Sequence, residues 1–185
     1  MDLIRSDWRR YTSKIASPTV ASNEEGIGDD IGTAELEVGS VNIEENAGRE
    51  PVNYVLPPGV SRIVDPGQSQ ITQLNEQSMM MKVVGLQAGD ARGVYRNTSL
   101  DLGNYKRMQM WVHAEKLIDD ITNLKSGELS VFIRLGSDVK NNYYEYEVPL
   151  SLTPAGKYNT YSTSDRAIVW PTSNRLDFNL QSLVN

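Results

Sequence analysis

Between Leu129 and Leu150 apolar and polar side chains alternate twice over, a pattern no helix can bury on one face. Successive side chains of a strand point to opposite faces. Leu129, Val131, Ile133 and Leu135 therefore face one side, with Ser130, Phe132 and Arg134 opposite. Further on, Tyr144, Tyr146, Val148 and Leu150 oppose Tyr143, Glu145, Glu147 and Pro149. The segment between them, Gly136-Ser137-Asp138-Val139-Lys140-Asn141-Asn142, is rich in turn formers, so the two strands are expected to form a hairpin. Coincident apolar faces fix its register: Leu135 opposite Tyr144, Ile133 opposite Tyr146, Val131 opposite Val148. Arg134 then meets Glu145. A shift by one residue would carry Glu145 and Glu147 into the core.

The same period runs from Met108 to Glu115, with Met108, Met110, Val112 and Ala114 on the core face. Gln109, Trp111, His113 and Glu115 point the other way. Met79 to Leu86 reads as a strand, followed by a turn at 87–90 and a strand through Val94 and Tyr95. Leu117, Ile118, Ile121 and Leu124 suit a short helix within a long connection, and Ala167 to Trp170 reads as a late strand ended by Pro171. The expected fold is mainly β: an antiparallel jelly-roll-like β-sandwich with short helices and an extended N-terminal arm.

Charge is unevenly spread. Residues 24–50 hold nine acidic side chains against one basic one, Arg49, so −8 sits there and the rest of this −6 chain carries +2. That segment is glycine-rich and poor in bulky apolar residues, the composition of a solvated arm, although Ala34 to Val38 alternates enough for a short strand. Residues 1–20 read as a short amphipathic piece stopped by Pro18. Leu56-Pro57-Pro58-Gly59-Val60 and Asp65-Pro66-Gly67 predict an extended strap crossing a surface without repeating structure. The expected division is an N-terminal segment and acidic arm over 1–50, the strap over 51–78 and the β-sandwich over 79–185. The closing run Phe178 to Val184 reads as an internal stretch of something longer.

The inventory excludes much chemistry. With no cysteine there is no disulfide, thiolate zinc site, iron–sulfur cluster or cysteine nucleophile. Any histidine-based site has only His113 to use. Net acidity argues against nucleic acid as a partner. No stretch approaches the ~18 apolar residues of a membrane-spanning helix, so this segment is not expected to span a membrane by itself. No catalytic, cofactor or metal residues are assigned.

Several local patterns have bland explanations. Glu145 and Glu147 stand on one strand, whereas a glycosidase needs its carboxylates across a cleft. Gly26-Ile27-Gly28-Asp29-Asp30-Ile31-Gly32 has its third glycine one position late for a dinucleotide loop, and its acidic neighbours would repel a pyrophosphate. Asp29-Asp30 and Asp119-Asp120 lack EF-hand spacing, leaving only a single structural calcium between strands compatible with them. Met79-Met80-Met81 reads as strand core and edge. His113, with Trp111 and Glu115 on the same face, could form a ligand-contacting cluster, but reads first as an ordinary solvent-facing histidine. Trp111, Phe132 and Tyr143 lie on the faces away from the aliphatic core, beside His113, Arg134 and Glu145. That face suits docking on a neighbour or, alternatively, stacking of sugars in a carbohydrate-binding module.

Longer segments carry a resemblance. They are Val41-Asn42-Ile43-Glu44-Glu45-Asn46, Tyr54 to Val60, Leu74-Asn75-Glu76-Gln77-Ser78, Gly89-Asp90-Ala91-Arg92 and Tyr105 to Met110, then Phe132 to Asp138 and Lys140 to Glu147. Together they resemble the SprA (Sov) family of cell-surface proteins, outer-membrane translocons of the Bacteroidetes type IX secretion system. The resemblance implies a very large β-barrel that exports cargo and supports gliding motility, with soluble insertions between barrel strands. This stretch lacks the serial lipid-facing strands of such a barrel. The implied role is a non-enzymatic scaffold, cap or docking domain at the outer membrane or cell surface. Its implied partners are other parts of the translocon, secretion-system components and exported cargo.

Overall fold

A computed structural model describes residues 8–16, 34–62, 64–65, 72–73, 75–99, 101–138 and 141–183. The chain is mainly β with a few short helices. The strands are β1 (Arg9–Ala16), β2 (Glu35–Asn42), β3 (Val64–Asp65), β4 (Thr72–Gln73), β5 (Gln77–Val84), β6 (Asp90–Tyr95), β7 (Arg107–Met110), β8 (Ser130–Gly136), β9 (Tyr143–Pro149) and β10 (Leu176–Asn179). Two α-helices, α1 (Ile43–Asn46) and α2 (Thr163–Val169), accompany them. Among the described residues the strands pair only in twos: β1 with β6, β2 with β5, β3 with β4, β7 with β10 and β8 with β9. A jelly roll needs two sheets of several strands each, and these ladders do not build them.

Contacts divide the chain into two compact units, each taking two stretches of sequence. One comprises Met1–Ser40 with Met79–Leu100, the other Val41–Ser78 with Asp101–Asn185. The expected division at 50 and 78 groups the residues differently.

In the first unit β1 runs antiparallel to β6, Arg9 opposite Tyr95 and Ala16 opposite Asp90, with a bulge between Tyr11 and Ile15. The strand expected near Ala34–Val38 forms as β2. Along β5, Met79 and Met81 are exposed while Met80 turns inward. Its Cε lies 3.1 Å from where a side chain on Gly39 would begin, so Met80 packs closely over that glycine. Arg92 is buried and donates to the Ala34 carbonyl at 3.2 Å. The glycine-rich run 26–32 lies outside the described residues.

In the second unit the β8–β9 hairpin has the register expected from its faces. Val131 pairs with Val148, Ile133 with Tyr146, Arg134 with Glu145 and Leu135 with Tyr144. Gly136 closes it because a Cβ there would collide with the Asn142 carbonyl and stand 2.5 Å from the Tyr143 Cα. Phe178 of β10 stacks on Tyr146, ring centroids 4.6 Å apart.

Three expected elements differ. The strand over 108–115 pairs only through Met110, as β7 against β10. Beyond it both sides of the chain are covered, so no solvent face remains to make a half-buried strand: Ala114 is buried and Trp111 packs on the core. No helix forms over 115–124. Asp120 accepts from the Thr122 amide and hydroxyl (3.0 and 2.6 Å), a local side-chain turn that competes with helix, and Ile121 is left 96% exposed. Ala167–Trp170 belongs to α2 and its C-terminal cap rather than to a strand. Ser162 caps the helix, its Oγ accepting from the Asp165 amide at 3.2 Å, and this start signal overrides the β preference of Ile168-Val169-Trp170.

The largest correction concerns the strap. It lacks repeating structure, as proline dictates, yet it runs through the core: Val52, Asn53, Tyr54, Val55, Leu56 and Pro57 are all buried. Val52, Tyr54, Val55 and Leu56 form one cluster with Val169 and Trp170, and Val41, Ile43, Trp111 and Tyr158 pack against it.

Candidate functional site

A buried strap without a β-ladder must find other partners for its backbone. Side chains from 153–170 and the chain around Asn46 supply them. Trp170 Nε1 donates to the Val55 carbonyl at 2.9 Å. Arg166 Nε donates to the Leu56 carbonyl at 2.7 Å, and its Nη2 reaches the carbonyls of Pro57 and Val60. The Leu56 amide donates to Thr160 Oγ1 at 3.0 Å and the Tyr54 amide to the Asn46 carbonyl at 3.0 Å. Asn53 meets both backbone groups of Tyr158, at 2.9 and 2.7 Å. Tyr54 stands edge-on to Trp170, and its hydroxyl bonds Glu76 and Ser78. Burial, then the Glu76 carboxylate, push that hydroxyl far above the usual tyrosine range.

His113 is enclosed rather than solvent-facing. Its ring lies edge-on to Trp170 with centroids 5.8 Å apart, and Nδ1 is 2.9 Å from the Val169 carbonyl at the end of α2. Because a carbonyl only accepts, Nδ1 carries the proton. Nε2 lies 3.2 Å from Glu115 Oε2, and Glu115 is paired with Arg49, which also donates to the Val52 carbonyl at 2.9 Å. Burial first, and the Arg49 charge after it, hold the imidazole below its usual range against the opposing pull of the Val169 bond. Because the Glu115 carboxylate only accepts, the Nε2 contact is a hydrogen bond only when the ring carries its second proton, and Arg49 answers the Glu115 charge when it does not. Thr153 Oγ1 lies 3.2 Å from Nδ1, in outline a hydroxyl, an imidazole and a carboxylate in line. The Nδ1 proton already goes to a backbone carbonyl, and Thr153 is itself buried, so the ring has no lone pair there to take the hydroxyl proton.

The six residues expected on one face fall into two groups. Trp111 and His113 belong to the clasped strap. Phe132, Arg134, Tyr143 and Glu145 lie together on the hairpin, where the Arg134 guanidinium sits 5.1 Å from the Phe132 centroid and 4.2 Å from that of Tyr143. Arg134 Nε bonds Glu145 Oε2 at 2.5 Å, both side chains nearly enclosed. One face of each ring is thus taken by the cation. Sequence reasoning placed Glu115 beside His113 but missed the roles of Arg49, Arg166 and Trp170. The nearest available signal for the last two was Ser162 followed by Asp165, which marks the helix carrying them.

Beside the clasp lies a shallow recess of about 320 Å³ lined by Pro58, Trp111, Ala167, Trp170, Pro171, Thr172 and Ser173. Arg175 lies over the Trp111 ring at 4.8 Å. These features can hold an apolar ring or an extended chain, and they offer no activated nucleophile.

A family described as motility related/secretion protein, SprA_N, matches residues 1–185. The chain belongs to the SprA_N family. No curated protein matches it. The match bears out the resemblance to SprA read from the sequence and places the chain's role in motility or secretion. Among the described residues of this SprA_N chain no helix is long and apolar enough to cross a membrane.

Proposed function

We propose that this chain is a non-catalytic docking module of a type IX secretion translocon at the outer membrane, serving protein export and gliding motility. It works without a cofactor and holds other parts of the translocon, secretion-system components or exported cargo. The observation that carries this reading is how the polar groups of the second unit are spent. Its histidine, its asparagines 53 and 174, and Arg49, Arg166 and Arg134 hold backbone or neighbouring carboxylates, while the ordered recess beside them is walled by two indoles and two proline rings. A site that stores its polar side chains as struts and offers apolar rings suits holding rather than reacting. The carbohydrate-binding reading has less support, because Arg134 occupies one face of both Phe132 and Tyr143.

A photo-cross-linking amino acid at Ala167, which is exposed on α2 at the recess, tests the proposal in cells carrying the full-length protein. Discrete protein adducts are expected from 167 and not from exposed Lys157. Adducts absent at 167, or equal at both positions, would overturn the docking reading.

A further inference from the structure

The strap begins at a carboxylate that two side chains contest. Glu115 Oε1 is held by Arg49, and its Oε2 lies 3.2 Å from His113 Nε2. Arg49 also donates through Nη1 to the Val52 carbonyl at 2.9 Å, so one guanidinium closes the start of the strap. Arg49, from the segment after α1, and Glu115, from the same segment as the ring, are the charged groups bonded into this cluster. The end of α2 brings the Val169 carbonyl and the Trp170 indole to the ring, and the segment after β9 brings the Thr153 hydroxyl. With Nδ1–H directed at Val169, a second proton on Nε2 meets Glu115 Oε2 without moving the ring. It also sets two positive charges on one carboxylate in a largely enclosed place, where like charges repel more strongly than in water. Of the three side chains Arg49 is nearest water, 27% exposed against 18% for His113 and 10% for Glu115.

We propose that His113 is a proton-operated latch on the strap: the charged ring takes over Glu115, Arg49 moves into solvent, and the Val52 carbonyl is released. Mildly acidic surroundings loosen the start of the strap, and neutral ones lock it. The release is confined to 49–52, because Asn46, Thr160, Arg166 and Trp170 still hold residues 54–57. The coupling is reciprocal: whatever Arg49 costs the second proton, the proton costs Arg49 in its place. All its parts lie inside the second unit, so the latch stands whether or not the recess docks a partner.

The test is an NMR titration of the intact chain from pH 8 to pH 5, following the His113 ring nitrogens, the Arg49 Nε–H and the Val52 carbonyl carbon together. Nε2 should gain a proton while Nδ1 keeps its own, and the Arg49 and Val52 signals should change with the same midpoint as the ring. In His113→Gln the Val52 signal should stay constant. A Val52 signal that is flat while the ring titrates overturns the inference, as does a ring that takes no second proton above pH 5. A Val52 shift that persists in His113→Gln assigns the change to another group and overturns it too. Arg49→Lys keeps the charge and should leave the ring midpoint near its native value. Arg49→Gln removes the charge and should raise that midpoint by about one unit, a ten-fold gain in proton affinity. Equal midpoints in these two variants would contradict the coupling. Should Arg49→Gln fail to fold, the native titration and His113→Gln decide by themselves.

Discussion

Asn174 is fully enclosed, and its side-chain amide meets both backbone groups of Ser151, accepting from the amide at 2.7 Å and donating to the carbonyl at 2.8 Å. Asn53 does the same for Tyr158, and Asn42 caps α1 by accepting from the amides of Glu44 and Glu45. Asn174 and Asn53 stand where a neighbouring strand would otherwise satisfy the backbone, and Asn42 where a helix start leaves amides unpaired, which is how a core with so little ladder avoids unpaired polar groups. Asn174→Ala leaves the Ser151 amide and carbonyl without that partner and should cost roughly 1–3 kcal/mol, read as a lower urea midpoint at unchanged slope. Asparagine in a sequence reads as turn or cap, so these roles were illegible without the fold. His113 was legible as the one titratable imidazole but not as an enclosed one. With its folded pKa held below the ordinary 6.5, the unfolded chain binds more protons over the interval between the two values. The stability it contributes is therefore complete above about pH 6.5 and lost as pH falls through that interval. Unfolding midpoints between pH 5 and 7.5 should fall toward acid in the native chain, and this part of the slope should vanish in His113→Gln. An identical pH profile in the variant would contradict the assignment.

The hairpin and α2 show why some elements could be read and others not. In β8–β9, alternation and the demand that apolar faces coincide act on the same residues, so register followed from the sequence down to Arg134 opposite Glu145. In α2, seven residues carry no helical apolar stripe, and what starts the helix is Ser162 with Asp165 rather than periodicity. The strap was misplaced for a different reason. Two adjacent prolines preclude regular pairing, and unpaired backbone ordinarily stays in water. Here Arg166, Trp170, Thr160 and the Asn46 carbonyl replace that water, from positions more than 100 residues away for all but the last. On the hairpin, Arg134 is held by Glu145 between two rings, with both charges nearly enclosed. Arg134→Ala should cost about 3 kcal/mol because it leaves Glu145 without its cation, whereas replacing the pair together by Met and Leu should cost much less. Equilibrium unfolding of the two variants separates the cases. Equal losses would mean the pair contributes packing alone.

At the scale of the molecule, residues 24–50 carry −8 and the remainder +2, so the acidity of the chain is concentrated in one stretch. The mainly β class was legible because period-2 patterning is local, whereas the gathering of strands into sheets depends on contacts the pattern does not specify. The grouping into units likewise brings together stretches far apart in sequence, with 1–40 beside 79–100 and 41–78 beside 101–185. The family match ties the whole chain to motility or secretion, and the proposed docking surface exists only if the strap is core. That makes the strap the point of greatest leverage. Hydrogen exchange of the intact chain tests it most directly, through the amides of Tyr54 and Leu56, which donate to the Asn46 carbonyl and to Thr160 Oγ1. They should exchange as slowly as the ladder amides of β8 and β9. Exchange at the rate of an unprotected loop would contradict the account, removing the clasp, the recess and the docking surface together.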